Sequence, residues 1–320
     1  MIEELDRKID EMEATLAGMQ SAQPEEKILR FQLKRDRDEL LAACRELTPA
    51  DKVYLARHIR RPRIDDYTKA LFTEFFEQKG DRLGKEDPSI FGGIALFEGT
   101  PVTIIGHRKG HDLNENIKLQ FGMPGPEGYR KALRLMKQAE KFHRPVILFI
   151  DTPGAYPGLE AEEFGQSQAI AENLAAMSML QVPVLAIITG EGNSGGALAI
   201  GVANRVCMLE NAVYSILSPE GFASILWHDA SKSKEACNIM KLTAQDLKPL
   251  GVIDEILPEP PGGAHRNPQA VYETIRGCVR EFLKSTKNKS GKEMARARAK
   301  KIRRMDAAWI RIDKAAGEDK

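Results

Sequence analysis

The sequence has no hydrophobic run long enough to cross a membrane. Its longest apolar stretches, near Val146–Ile150 and Val182–Ile188, have the length of a strand, whereas a transmembrane helix needs about 18 or more apolar residues in a row. The first residues, Met1 to Asp6, are acidic and contain no apolar core, so we expect no secretory signal. We therefore expect a cytoplasmic protein without a membrane partner.

Cysteine and net charge are also scarce. The 47 basic and 46 acidic side chains leave a net charge of +1, which argues against a dedicated nucleic-acid-binding protein. The few cysteines lie far apart and form no C-x-x-C pair: Cys44, Cys207, Cys237 and Cys278. This spacing excludes a zinc ribbon and does not favour a disulfide framework, so we expect no metal in this chain.

Composition predicts three segments in a globular chain of 320 residues. Residues 1–50 carry apolar side chains at alternating steps of three and four, interrupted at Gln23-Pro24, which predicts an N-terminal helical hairpin. Residues 51–283 are expected to form the main domain. Residues 284–320 form a basic tail, with two interpretations: a solvated, partly helical extension, or a dock for an acidic partner or a polyanion. Trp309 is its only aromatic residue, so base stacking has little support.

From about Ile90 the chain alternates between strand and helix patterns. The β-rich runs Gly93–Phe97 and Val102–His107 flank a turn and predict a hairpin. Pro145–Ile150 and Pro183–Thr189 are continuous apolar runs, typical of strands buried on both faces, and each precedes a loop and a helix. These repeated strand–turn–helix units predict a single α/β domain.

Two glycine-containing loops follow the buried strands and are the most informative positions. They span Asp151–Gly158 and Gly190–Gly195, and a helix is expected after each. Amides at a helix start lack partners and the helix dipole is positive there, so an anion or a developing oxyanion is stabilised. Because glycine has no side chain, a substrate can approach the backbone closely at these positions. We expect the two loops to form one cleft.

Other functions compete for the same residues. Asp151-Thr152-Pro153-Gly154 imitates a GTPase motif, but the chain contains no G-x-x-x-x-G-K-[ST] loop. The run from Gly192 to Gly196 matches G-x-S-x-G, in which Ser194 would be the nucleophile of a serine hydrolase. The later members of its triad would be His265 and one aspartate out of Asp229, Asp246 and Asp254.

A metal or phosphate function is a further alternative for the segment that follows Val102–His107. His107 and His111 have a spacing that can ligate a metal, but Arg108 and Lys109 between them disfavour a cation. The same two basic residues could instead meet the phosphates of a bound cofactor, although a solvated face is the better explanation for either of them.

The motifs of both loops closely resemble those of the alpha subunit of bacterial acetyl-CoA carboxylase carboxyltransferase. The resemblance extends from the first helix to about Leu283, and Asn193 departs from it where a glycine is expected. It is carried by runs that span Gly106–Gly110, Phe121–Pro124, Pro126–Arg134, Asp151–Gly158, Ser194–Gly201, Ser218–Gly221 and Pro258–Pro268.

This resemblance implies a crotonase-like fold, a spiral of β-β-α units whose oxyanion holes are backbone amides. It implies transfer of a carboxyl group from carboxybiotin to acetyl-CoA, giving malonyl-CoA in the first committed step of fatty acid biosynthesis. The amides of Gly195, Gly196 and Ala197 would hold the ureido oxygen of biotin, and Tyr156 would pack on its ring or anchor the loop. The pocket would be lined by Thr152, Pro153, Gly154, Ala155, Tyr156, Pro157 and Gly158.

The resemblance also implies partner proteins. A beta subunit of similar fold, which carries a zinc ribbon and most of the coenzyme A site, would complete an α2β2 heterotetramer. The biotin carboxyl carrier protein would deliver the biotin, and biotin carboxylase would belong to the wider complex. The absence of paired cysteines here agrees with the zinc lying in the beta chain.

Overall fold

Helices form the first part of the structure, a computed structural model that describes residues 2–19 and 24–305. The first two contact each other, and a capping box between Thr48 and Asp51 starts the third. None of the helices in these ranges is both long enough and apolar enough to span a membrane. The four are α1 (Ile2–Gly18), α2 (Pro24–Ala43), α3 (Pro49–Arg57) and α4 (Ile64–Leu71).

Contacts of Asp6 in α1 hold the hairpin against the rest of the chain. Its carboxylate accepts hydrogen bonds from Tyr54 Oη at 3.2 Å and His265 Nε2 at 3.0 Å, and it pairs with Arg266. His58 Nε2 lies 3.1 Å from the same carboxylate, and its ring stacks on that of His265 with centroids 3.8 Å apart. A residue near the N-terminus is thus fixed by residues from both ends of the sequence.

A mixed sheet of eight strands forms the centre of the described chain. Its order is β1-β2-β3-β4-β5-β6-β8, with β7 paired to β5; the first three strands are antiparallel and the others parallel. β4 and β5 are buried along their whole length, as their apolar runs predict. The strands are β1 (Thr73–Glu77), β2 (Ile90–Phe97), β3 (Thr100–His107), β4 (Val146–Thr152), β5 (Val184–Asn193), β6 (Arg205–Leu209), β7 (Val213–Ser215) and β8 (Glu255–Leu257).

The remaining helices connect the strands and cover the sheet. In α6 the fully buried Ala132, Leu135, Met136 and Ala139 recur at helical spacing and face β2 and β3. The helices are α5 (Leu113–Lys118), α6 (Pro126–Lys141), α7 (Leu159–Glu163), α8 (Gln166–Met179), α9 (Ser194–Leu198), α10 (Pro219–Trp227), α11 (Ser233–Ile239), α12 (Ala244–Leu247), α13 (Pro268–Thr286) and α14 (Gly291–Ile302).

The structure confirms the predicted hairpin, which is β2–β3, and modifies two other elements. The single helix expected after the first loop is two helices, because Gly165 adopts a left-handed conformation with φ 82° between α7 and α8. The expected loop Gly190–Gly195 is shorter, because β5 continues to Asn193, where it pairs with β7. The turn after β5 is therefore sharp.

The C-terminal segment packs on the domain as far as the structure describes it. The predicted boundary at residue 283 lies inside α13, and α14 contacts α8. Arg298 of α14 is fully buried and donates to the carbonyls of Met177, Leu180 and Val182 at 2.6–3.0 Å. These carbonyls lie at the end of α8 and just beyond it, so the guanidinium satisfies acceptors that a helix C-terminus leaves open. Residues 306–320 of the predicted tail lie outside the described residues.

Candidate active site

The two glycine-containing loops meet at the carboxyl ends of β4 and β5. These strands are parallel neighbours, with Ile150 opposite Ile188 and Thr152 opposite Gly192. A Cβ atom on Gly196 would lie 2.5 Å from the Ala155 nitrogen and 2.9 Å from Gly154 Cα, so the loops touch backbone to backbone. A residue without a side chain is required at this contact. The loops therefore lie side by side, as expected for neighbouring strands, whereas the cleft that we expected between them is not seen in the part of the chain that the structure describes: the large cavity is lined by the second loop and the small one by the first.

A sharp corner separates β5 from α9. Ser194 has φ 60°, in the left-handed region, and its side chain is exposed, whereas Gly196 and Ala197 are buried. The amides of Gly195 and Gly196 lie in the first turn of α9, where N–H groups have no partner within the helix, whereas the Ala197 amide is in position to donate to the carbonyl of the N-cap residue, Asn193. The geometry thus presents main-chain donors at a strand-to-helix corner.

The first loop is held by its own polar groups. Thr152 Oγ1 accepts a hydrogen bond from the Gly154 amide at 3.0 Å and donates to the Gly154 carbonyl at 2.7 Å. Thr152 is fully buried, and Gly154 has φ 152°. The threonine therefore fixes the backbone of the loop, while Pro153 and Ala155 are partly exposed.

Tyr156 makes the contacts of a loop anchor. Its amide donates to the Pro124 carbonyl at 3.0 Å, and its carbonyl accepts from Gln166 Nε2 at 3.0 Å. The ring packs so closely on Gly158 that a Cβ there would lie 2.9 Å from Tyr156 Cζ. Tyr156 lines a small cavity of about 140 Å³ together with Glu127.

A larger, mainly apolar cavity of about 740 Å³ lies beside the corner. Its size is within the 300–1,000 Å³ range of small-molecule pockets. Lys241 and Lys301 are the charged residues of its lining, and Lys301 pairs with Asp254. The lining also includes Leu174, Ser194, Gly195, Leu198, Val202, Val206, Tyr214, Ser215, Ile216, Phe222, Leu247, Val252 and Ile302.

A family model described as "Acetyl co-enzyme A carboxylase carboxyltransferase-like" matches residues 1–306. The chain is 53% identical over 304 residues to the acetyl-coenzyme A carboxylase carboxyl transferase subunit alpha of Geobacillus kaustophilus (strain HTA426), covering 94% of this chain and 92% of the relative. It is 61% identical over 241 residues to the subunit of the same name from Anoxybacillus flavithermus (strain DSM 21510 / WK1), covering 74% of each chain. The chain belongs to the acetyl-CoA carboxylase carboxyltransferase alpha-subunit family.

Solved structures of similar fold support the predicted architecture. Transcarboxylase 12S, with methylmalonyl-coenzyme A and methylmalonic acid bound, gives a TM-score of 0.58 at 17% identity, over 75% of this chain and 46% of that one. A Pseudomonas malonate decarboxylase hetero-tetramer in complex with malonate gives 0.55 at 20% identity, over 74% of this chain and 95% of that one. At these identities the likeness concerns the fold alone, and the predicted crotonase-like fold is confirmed.

The serine hydrolase alternative is wrong for this carboxyltransferase-family chain. The imidazole of His265 bonds to Asp6 through Nε2, and its side chain is fully buried against the N-terminal hairpin rather than paired with Ser194. The three candidate aspartates make local hydrogen bonds instead. Asp229 and Asp246 cap short helical turns, and Asp254 accepts a hydrogen bond from the amide of Val206 in β6. The G-x-S-x-G pattern alone was a short match, and the left-handed Ser194 reflects the sharp corner after β5.

Asn193 fits its position without strain, although a glycine was expected there. Its φ and ψ, −112° and 143°, are those of an extended strand that any residue adopts. The side chain is buried, and its Oδ1 accepts a hydrogen bond from Ser215 Oγ at 2.9 Å. Asn193 therefore ties the end of β5 to β7, and Ser215 in turn lines the large cavity.

The metal and phosphate interpretations of residues 107–111 do not fit the structure. Arg108 bonds to Asp65, and Lys109 is 8% exposed and pairs with two carboxylates, so neither is open to a phosphate. Burial lowers the pKa of His107 to about 4, so its ring is neutral at pH 7. His107 lies fully buried at the end of β3, while His111 pairs with Asp66 at the surface.

Two groups of potential metal ligands lie elsewhere in the described chain, each with its ligand atoms within 4.8 Å of one another. The first group is Asp6, His58 and His265, and its Asp6 already pairs with Arg266, which competes with a cation. The second group is Cys207, Glu255 and Cys278, and its Cys278 thiol donates a hydrogen bond to Cys207 Sγ at 3.4 Å.

Sequence reasoning missed one feature of the site, the charged residues buried beneath it. Asp151 is the second-last residue of β4 and the first residue of the loop Asp151–Gly158. Burial alone would raise the pKa of its carboxyl, but the neighbouring Lys109 and Arg63 outweigh burial and lower that pKa to about 2. The only signal in the sequence was an ionisable residue at the end of an apolar strand, because Lys109 and Arg63 precede Asp151 by 42 and 88 residues.

Proposed function

We propose that this chain is the alpha subunit of an acetyl-CoA carboxylase carboxyltransferase. It would transfer the carboxyl group of carboxybiotin to acetyl-CoA and form malonyl-CoA, the first committed step of fatty acid biosynthesis. The observation that supports the proposal is the contact of Gly196 with Gly154 and Ala155, at a corner whose Ser194 and Gly195 line a cavity of about 740 Å³. It occurs in a chain 53% identical to an alpha subunit over 94% of its length.

The donors present fit the ureido oxygen of biotin. When bound, biotin supplies the carboxyl group on its ureido ring and accepts the negative charge that the transfer leaves there. The amides of Gly195, Gly196 and Ala197 are assigned to that oxygen, because main-chain donors fixed before the reaction need no reorganisation. Loss of one such donor typically costs about 10²–10³ in rate. No titrating side chain is required at the corner.

The first loop is assigned to one wall of the biotin pocket. Thr152 and Tyr156 hold it in place by the hydrogen bonds described above, and Gly154 makes the contact with the corner. The stacking of Tyr156 on biotin has less support than its anchoring role, because Tyr156 lines the small cavity and not the large one. The complete assignment is Thr152, Pro153, Gly154, Ala155, Tyr156, Pro157 and Gly158.

The proposal includes a carboxyltransferase beta subunit as the obligatory partner, in an α2β2 heterotetramer in the cytoplasm. Apolar side chains exposed on and near the cavity rim support a protein partner there: Leu198 at 43%, Ile216 at 78% and Ile225 at 73%. The beta subunit would hold the zinc ribbon and most of the coenzyme A site. The biotin carboxyl carrier protein would bring the biotin, and biotin carboxylase would complete the wider complex.

Co-expression with the beta subunit tests this function. We expect the purified pair to have the mass of two chains of each kind and to form malonyl-CoA from acetyl-CoA and carboxybiotin. Each chain alone should be inactive, because each is expected to provide half of the site. An active monomer of this chain, or a pair that assembles without any carboxyl transfer, would contradict the proposal.

A further inference from the structure

A buried ammonium bridges the ends of the two strands that carry the loops. Lys109 Nζ lies 2.8 Å from Asp151 Oδ1 and 2.9 Å from Glu191 Oε2. Asp151 is the first residue of the loop Asp151–Gly158, and Glu191 stands two residues before the end of β5. One side chain, 8% exposed, thus contacts the base of both loops.

The bridge belongs to a larger network of alternating charges. Arg63 Nη1 donates to Asp151 at 2.6 Å, and Arg57 donates to Glu191 and to Glu220 in the first turn of α10, at 2.7 Å each. With Lys109, three cations face three carboxylates, which is the pairing that buried charge requires. The network joins α3, β4, β5 and α10 behind the corner.

The charges lie where the β4–β5 ladder becomes irregular. Pairing is regular up to Ile150 and Ile188, and the next pair is Thr152 with Gly192, so β5 contains two extra residues at this point. Asp151 lies inside the irregularity, and its Oδ1 accepts a hydrogen bond from the Glu191 amide at 3.1 Å. Side-chain bonds therefore replace the missing ladder bonds just before the loops begin.

Two glycines make room for the bridge. A Cβ on Gly122, which has φ 72°, would lie 2.8 Å from Lys109 Cγ. A Cβ on Gly190 would lie 2.7 Å from Asp151 Cγ. The surrounding backbone is thus shaped around these two side chains.

We propose that Lys109 is a positioning residue, which holds the ends of β4 and β5 at the separation where the corner amides meet the first loop. The inference rests on the proposed carboxyltransferase function. Lys109 is buried and lines neither cavity, so it acts through the two carboxylates and not on the substrate. A misplacement of about 1 Å at such a site costs about 10²-fold in rate.

The test uses the complex with the beta subunit and the variants Lys109→Met and Lys52→Met. Lys52 is the matched control, because it is also 8% exposed and donates to Gln245 and to the Glu210 carbonyl, away from both loops. The reaction is carboxyl transfer from malonyl-CoA to free biotin. For Lys109→Met we expect kcat to fall about 10²-fold with KM for malonyl-CoA within twofold, and for Lys52→Met both constants within twofold.

Hydrogen exchange of peptides that cover residues 190–197 measures positioning apart from activity. We expect faster exchange there in Lys109→Met than in Lys52→Met or the unmodified complex. If Lys109→Met does not assemble, Glu191→Gln takes its place, because it keeps the shape of the side chain and removes one charge of the bridge; we expect kcat to fall about tenfold.

Unchanged exchange and unchanged kcat in the assembled variant would overturn the inference, as would an equal loss in Lys52→Met. Faster exchange in Lys109→Met together with an unmodified complex that transfers no carboxyl group would uphold the positioning role and refute the proposed function.

Discussion

A methyl group on Gly196 tests the contact between the two loops most directly. In Gly196→Ala the new Cβ would lie 2.5 Å from the Ala155 nitrogen, whereas ordinary van der Waals contact begins at 3.4 Å. The loops must therefore separate by about 1 Å. A displacement of that size typically costs about 10²-fold in rate, which is about 2.7 kcal/mol of transition-state stabilisation. We expect kcat for carboxyl transfer to fall by this factor, and the free energy of unfolding to fall by about 1–3 kcal/mol.

Gly277→Ala provides the matched control for Gly196→Ala. Gly277 lies on the exposed side of α13, and a Cβ there meets no atom within 4 Å. Alanine at a helical position adds about 0.5–1 kcal/mol of stability relative to glycine, so this variant should be slightly more stable with unchanged kcat. Both variants are assayed with the beta subunit, and urea unfolding gives the stabilities. Wild-type kcat in an assembled Gly196→Ala complex would refute the view that the loop contact positions the amides.

Three further predictions concern other parts of the chain. Ser194→Ala should keep transfer activity within about threefold, and a fluorophosphonate should not label Ser194, since no base activates it; covalent labelling detected by mass spectrometry would contradict this. Arg298→Met should lower the free energy of unfolding by about 3 kcal/mol in urea titrations, because buried carbonyls lose a charged donor; a change below about 0.5 kcal/mol would show that the contacts of α14 contribute little. Burial lowers the pKa of His265 below its usual value, so the unfolded state binds more protons and stability should fall as the pH drops from 7 through the folded-state pKa. His265→Gln should flatten this dependence in urea unfolding between pH 7.5 and 5.5, and an unchanged slope would exclude His265 as its source.

The sequence was sufficient to predict the central strands and the region of the site. The apolar runs of β4 and β5 carry a local signal for buried strands, and parallel neighbouring strands bring the loops that follow them to one edge of the sheet. The run from Gly192 to Gly196 likewise identified the corner. The left-handed conformation of Ser194 was not predicted, and neither was the length of β5, which depends on pairing with β7.

The buried charges were beyond sequence reasoning for a different reason. Lys109 and Glu191 are 82 residues apart, and Arg298 and Met177 are 121 apart. Each residue viewed alone has the character of a surface charge, so the basic tail was predicted to be a solvated extension or a dock for an acidic partner or a polyanion. Only the folded topology brings such charges to their partners, since no local periodicity encodes a contact between distant segments.

The contacts of Asp6 with Tyr54, His58, His265 and Arg266 have a consequence for folding during translation. Tyr54 follows Asp6 by 48 residues and His58 comes soon after it, but His265 follows Asp6 by 259 residues. At about 5–20 residues per second, a ribosome needs roughly 15–50 s to supply that distance. During synthesis the N-terminal hairpin therefore lacks its contacts with His265 and Arg266, and Ile2 and Ile9 are covered only by residues from the first part of the chain. Translation speed, and any chaperone that shields the hairpin meanwhile, should therefore influence the yield of native subunit.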